Sequence, residues 1–86
     1  MDINMDPGKV IPLTIFPNPS KGPLTLEGAP GEINSFTFFD VAGKNVTTQV
    51  WILYQGELQV QFDISKLPRG VYLLKTKNET LKVVKK

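Results

Sequence analysis

The side chains able to do chemistry in this chain are three serines, Ser20, Ser35 and Ser65, scattered carboxylates and two tyrosines. There is no histidine and no cysteine. Without imidazole, a serine hydroxyl lacks its usual activating base and a metal lacks its commonest ligand. Without thiols there is neither a nucleophilic cysteine nor a disulfide framework, although this absence does not fix the compartment. Asp40, Glu57 and Asp63 are left open as a spatial pair, but nothing around them suggests a cleft. A calcium loop needs several closely spaced oxygen ligands, and the segment Asp40-Val41-Ala42-Gly43-Lys44 offers Asp40 alone. Glycine-rich phosphate loops are absent. The expectation is a non-catalytic, cofactor-free module whose role is to be recognised by another protein.

The punctuation says what must position any recognition surface. Breaks fall at Pro17-Asn18-Pro19-Ser20-Lys21-Gly22, Gly28-Ala29-Pro30-Gly31, Asp40-Val41-Ala42-Gly43, Gln55-Gly56, Leu67-Pro68-Arg69-Gly70 and Lys77-Asn78. Between them lie short runs rich in β-branched and aromatic residues, and several alternate with a period of two. Leu58, Val60 and Phe62 interleave with polar Gln59, Gln61 and Asp63, and Phe36 and Phe38 with Ser35 and Thr37. Seven strands are predicted, near 9–16, 23–27, 33–40, 44–54, 57–63, 70–77 and 79–85. One helical turn is predicted at Ile64 to Leu67, capped by Asp63 or Ser65. Short strands at this spacing predict an all-β, immunoglobulin-like antiparallel sandwich. At 86 residues this is one domain, burying roughly 60–65% of its unfolded surface. Residues 1–9 read as a start and linker remnant, and 10–86 as the domain.

Each turn carries two readings. Pro17-Asn18-Pro19 with Gly22 is either a structural turn or a rigid recognition loop, since proline fixes φ and cannot donate to a ladder. The Asp40–Lys44 segment reads as a tight hairpin. Tyr72, after the turn at Leu67-Pro68-Arg69-Gly70, reads as a structural corner residue whose hydroxyl needs a partner. Trp51 is expected in core or inter-sheet packing, with an exposed sugar-stacking platform as the alternative. Asn45-Val46-Thr47 and Asn78-Glu79-Thr80 match the glycosylation sequon, a pattern frequent by chance.

The formal net charge of +2 hides an asymmetry. Residues 1–64 carry three lysines against seven carboxylates, net −4; residues 65–86 carry seven basic side chains against Glu79, net +6. The tail Lys82-Val83-Val84-Lys85-Lys86 reads either as an edge strand whose lysines discourage strand addition or as a docking signal. Nucleic-acid binding would need interleaved stacking aromatics, and Tyr72 is the only one in the basic region. No apolar run approaches the ~20 residues of a membrane-spanning helix, so no membrane insertion is expected. Met1 to Lys9 is polar and acidic, unlike a secretory leader. If the domain is exported, that leader lies upstream in a longer parent chain.

Taken together, the order and spacing of Phe16-Pro17-Asn18-Pro19-Ser20-x-Gly22, Phe39-Asp40-Val41-Ala42-Gly43-Lys44-x-Val46 and Asp63-Ile64-Ser65-x-Leu67-Pro68-x-Gly70-Val71-Tyr72-Leu73-Leu74-Lys75, followed by a lysine-rich end, resemble the C-terminal sorting domain of the type IX secretion system of Bacteroidota, most closely its shorter type A form. The likeness runs from about Val10 to Lys86. It implies an immunoglobulin-like sandwich at the end of a cargo protein that passes through the periplasm to the cell surface or medium. The implied partners are the outer-membrane translocon, shuttle proteins and a sortase-like surface peptidase that usually removes the domain. Cargo is then released or linked to anionic lipopolysaccharide. By carry-over, Gly70, Val71, Tyr72, Lys75, Lys82, Val83, Val84, Lys85 and Lys86 are tied to export. Pro17, Asn18, Pro19, Gly22, Asp40, Gly43, Lys44, Leu67 and Pro68 mainly define the fold. Segment 47–62 carries no motif of that family, and a cleavage point would lie in or before residues 1–9. The competing reading is a cell-surface adhesion or carbohydrate-binding sandwich, which requires exposed aromatics such as Trp51 and Tyr54.

Overall fold

Alternating residues that bury one side and wet the other build two sheets in the computed structural model, which describes residues 12–86. The strands are β1 (Thr14–Phe16), β2 (Pro23–Glu27), β3 (Phe36–Asp40), β4 (Trp51–Gln55), β5 (Gln59–Asp63), β6 (Gly70–Thr76) and β7 (Thr80–Lys85). One sheet has the order β1-β2-β5-β4 and the other β3-β6-β7, with every neighbouring pair antiparallel. This is the strand order of a constant-type immunoglobulin sandwich, as the punctuation predicts. The proposed linker at 1–9, and the part of the first strand predicted before residue 12, lie outside the described residues.

Leu24, Leu26, Val60 and Phe62 from one sheet meet Phe38, Tyr72, Leu74 and Val83 from the other, and Ile33, Val46, Ile64 and Leu67 seal the ends from connecting segments. Phe62 is the hub: its ring packs edge-on against Phe36 and Phe38 at 5.0 and 5.1 Å between centroids. Such aromatic pairs add about 0.5–1.5 kcal/mol each beyond area burial. At Ile64 to Leu67, where one helical turn is predicted, the chain makes a single hydrogen-bonded turn and no helix. Leu67 N–H donates to the Ile64 carbonyl at 2.9 Å, and Asp63 Oδ1 accepts from Ser65 N–H at 2.9 Å.

Two expectations fail. The strand predicted at 44–54 is not continuous. Asn45 makes one isolated bridge to Phe39, a 3-10 turn follows at Thr47–Gln49, and only then does β4 begin, in the other sheet. The chain crosses here because its polar groups find local partners: Asn45 Oδ1 accepts from Thr47 N–H and Thr47 Oγ1 from Phe38 N–H, both at 2.9 Å. Such side-chain bonds compete with a continuing ladder. Trp51 is not core either. It is 56% exposed, because β4 is the last strand of its sheet and Trp51 stands opposite Asp63 on the wet face.

Candidate functional site

The residues singled out by the resemblance sort by the two faces of the β3-β6-β7 sheet. Gly70, Tyr72 and Leu74 alternate with Val71, Leu73 and Lys75 along β6, and only Tyr72, Leu74 and Thr76 are buried. Pairing carries this alternation across the sheet. Val71 lies opposite Val84, Leu73 between Phe39 and Lys82, and Lys75 between Thr37 and Thr80. The outer face is therefore an apolar strip of Phe39, Val71, Leu73 and Val84 edged by Lys75 and Lys82. No carboxylate sits in these cross-strand rows. Val71 and Leu73 are each more than a third exposed, and both lysines are exposed.

The remaining carry-over residues fall elsewhere. Tyr72 and Val83 are buried, so they shape the surface from beneath instead of forming it. Gly70 opens β6 opposite Lys85, at the end of the sheet with Lys86. Phe39 and Leu73 belong to the strip although no motif singles them out. The available signal is that Val71-Tyr72-Leu73-Leu74 is apolar on both faces of its strand, whereas β5 alternates cleanly.

Tyr72 fulfils the corner reading. Its hydroxyl donates to the Pro68 carbonyl at 2.6 Å, tying the turn before β6 to the strand. This is the tyrosine corner of immunoglobulin-like sandwiches. Burial, and secondarily the Asp40 charge, push its pKa up. Asp40 shapes the hairpin after β3: its Oδ1 accepts from Ala42 and Lys44 N–H at 2.9 and 2.8 Å, and Gly43 supplies φ of +87°. Asp63 is held below the usual carboxylate range, first by hydrogen bonding from the Ser65 backbone and then its side chain, with a smaller contribution from Lys85.

The prolyl turn has a structural role that sequence does not disclose. Asn18 reaches the outer edge of β7, where its Nδ2 donates to the Lys82 carbonyl at 2.8 Å and its Oδ1 accepts from Val84 N–H at 2.9 Å. Ser20, buried, continues the pairing: its N–H donates to the Val84 carbonyl at 2.9 Å and its carbonyl accepts from Lys86 N–H at 2.8 Å. Ser20 Oγ donates to the Pro23 carbonyl and accepts from Gly22 N–H. The tail is thus not an open edge guarded by lysines. Its backbone is clamped, and only its side chains are presented.

Among the described residues, no group of three or more carboxylates could hold a metal ion. No curated protein and no solved structure matches the chain. The family model for the secretion system C-terminal sorting domain matches residues 14–86, every strand of both sheets included. With its sandwich, its tyrosine corner and that match, the chain belongs to the type IX secretion C-terminal sorting domain family.

Proposed function

We propose that the outer face of β3-β6-β7 is the surface through which the export machinery reads this sorting signal. Family membership makes the chain a sorting signal directing an attached cargo to the surface or medium, and sorting domains are in general non-catalytic. The observation that carries the finer reading is an outward-facing strip in which Val71 and Leu73 are exposed and Phe39 and Val84 half-buried, edged by the exposed Lys75 and Lys82 and with no carboxylate in its cross-strand rows. Apolar area supplies affinity, and unopposed ammonium groups steer an acidic partner and set its orientation. The partner is then an acidic, apolar-centred surface of the translocon or of a shuttle protein. Periplasmic transit and removal by a surface peptidase follow from the resemblance.

The test is a reporter carrying this domain in a type IX-competent host. Lys75→Glu with Lys82→Glu should cut secretion several-fold while the thermal midpoint stays within a few degrees, because both side chains are exposed. Undiminished secretion by the folded double variant would refute the reading. Binding to the partner should weaken as salt rises, since exposed charges are screened beyond about 8–10 Å at physiological ionic strength. The carbohydrate-binding reading is supported by the exposure of Trp51 and Tyr54. Against it, the Lys66 ammonium lies over Trp51, 5.1 Å from the ring centroid, and occupies one stacking face.

A further inference from the structure

Among the described residues, every sheet edge except one is blocked by a specific device. β1 is three residues long and runs into Pro17 and Pro19. β3 is covered by the Asn45 bridge and the Thr47 hydroxyl. β7 is covered by Asn18 and Ser20. The outer edge of β4 has no partner among the described residues. From Asn45 to Gly56 there is no charge and no proline, the usual guards of an open edge. All five residues of β4 are exposed, Trp51, Ile52, Leu53 and Tyr54 to about half of their area.

We propose that β4 is a self-pairing edge through which two copies of this chain associate antiparallel about a twofold axis, with Trp51 of each copy opposite Tyr54 of the other. The register supplies the argument. Residues three apart in a regular strand point to opposite faces. Here the ladder shifts between Ile52 and Tyr54, so that Trp51 stands opposite Asp63 and Tyr54 opposite Gln61. Asp63 and Gln61 both face outward, because Val60 and Phe62 between and beside them are fully buried. The irregularity thus brings Trp51 and Tyr54 to the same outer face. A twofold axis normal to the sheet, passing between Ile52 and Leu53, then sets Trp51 against Tyr54 of the second copy twice. It also sets Val50 against Gln55 of the second copy. Directly opposed aromatics are among the favourable cross-strand pairs. Gly56 helps to seat the tyrosine: a Cβ there would lie 2.7 Å from the Tyr54 hydroxyl.

A second copy fits better than an unrelated charged partner, because the neutral edge meets its own neutral edge with no like charges opposed. Pairing four half-exposed large side chains per copy covers on the order of 1,000 Å² in total, below the roughly 1,200 Å² at which stable complexes begin and in the range of weak, transient ones. The dimer is therefore weak and concentration-dependent. It uses the sheet opposite to the lysine-edged face and does not depend on that face being the recognition surface.

Sedimentation of the 86-residue chain across a micromolar to millimolar series tests this. The apparent mass should rise toward twice the monomer, while Leu53→Lys, at an exposed position, should stay monomeric with an unchanged thermal midpoint. The chain lacks cysteine, so W51C and Y54C report register directly. Opposed residues in an antiparallel pair lie about 4.5–5.5 Å apart at Cα, within disulfide reach. Oxidising an equimolar mixture should give W51C–Y54C dimers several-fold above the statistical share. A monomer throughout, an undiminished dimer in L53K, or a purely statistical cross-link pattern would overturn the proposal. So would a Trp51 fluorescence shift on adding cellohexaose or chitohexaose without any change in mass, which would assign the aromatics to a glycan.

Discussion

The Tyr72 hydroxyl has one protein partner, the Pro68 carbonyl, and its surroundings raise its pKa. The sign of the resulting pH dependence follows directly. A phenol that keeps its proton more tightly when folded contributes stability that is complete below the unfolded value, 10.0, and that is lost as pH rises through the folded pKa. Tyr72→Phe should therefore cost about 0.5–1.5 kcal/mol at neutral pH through the lost hydrogen bond. It should also flatten the decline of stability on the alkaline side, as read from urea midpoints between neutrality and high pH. A variant that keeps the full alkaline decline would show that another group causes it. At this scale sequence was informative where the determinant was local. A Pro-x-Gly turn just ahead of Tyr72 marks the corner, whereas the exposure of Trp51 depends on its strand being last in the sheet, which no local pattern reveals.

Among the elements, the prolyl turn and β7 form one unit. Asn18 acts as a short substitute strand, offering one donor and one acceptor to backbone groups 64 and 66 residues away. Asn18→Ala should cost about 1–2 kcal/mol for two lost bonds to solvent-facing partners. It should also speed hydrogen exchange at the Val84 amide. The measurement is native-state exchange by NMR; unchanged protection at Val84 would show that Ser20 alone holds the edge. Strand existence was largely legible in the sequence, because turn residues and period-two alternation are short-range. Segment 44–54 was not, because a run of strand-forming residues hides a change of sheet made by Asn45 and Thr47 side chains. The partner of the prolyl turn was illegible for a similar reason: proline announces rigidity and says nothing about what lies opposite.

Over the whole molecule, a small core leaves little reserve. Domains hold together by about 0.05–0.15 kcal/mol per residue, roughly 4–13 kcal/mol for a chain of this length. Phe62 closes the two sheets on each other, and truncating such a side chain costs about 3–5 kcal/mol. Phe62→Ala should therefore lower the thermal midpoint by roughly 12–40 °C, at about 4–8 °C per kcal/mol for a domain of this size, and a cooperative melt close to that of the parent chain would contradict the assigned hub. The sandwich and the family were legible because they rest on the order of several turns. The proposed recognition strip was legible only in part: sequence pointed to β6 and β7, but the division into an outward row and a buried row required the register.

The clamp on β7 has a temporal consequence. The turn at residues 17–20 is made near the start of the domain, yet its hydrogen-bonding complement is the very last strand. Bonds spanning so much of the chain close late in folding, after nearly everything between them has been ordered. A polypeptide lacking its final few residues would leave Asn18 and Ser20 facing water and the lysine-edged face without its outer strand. If the lysine-edged face is the surface that is read, as proposed, it is complete only once the tail is in place.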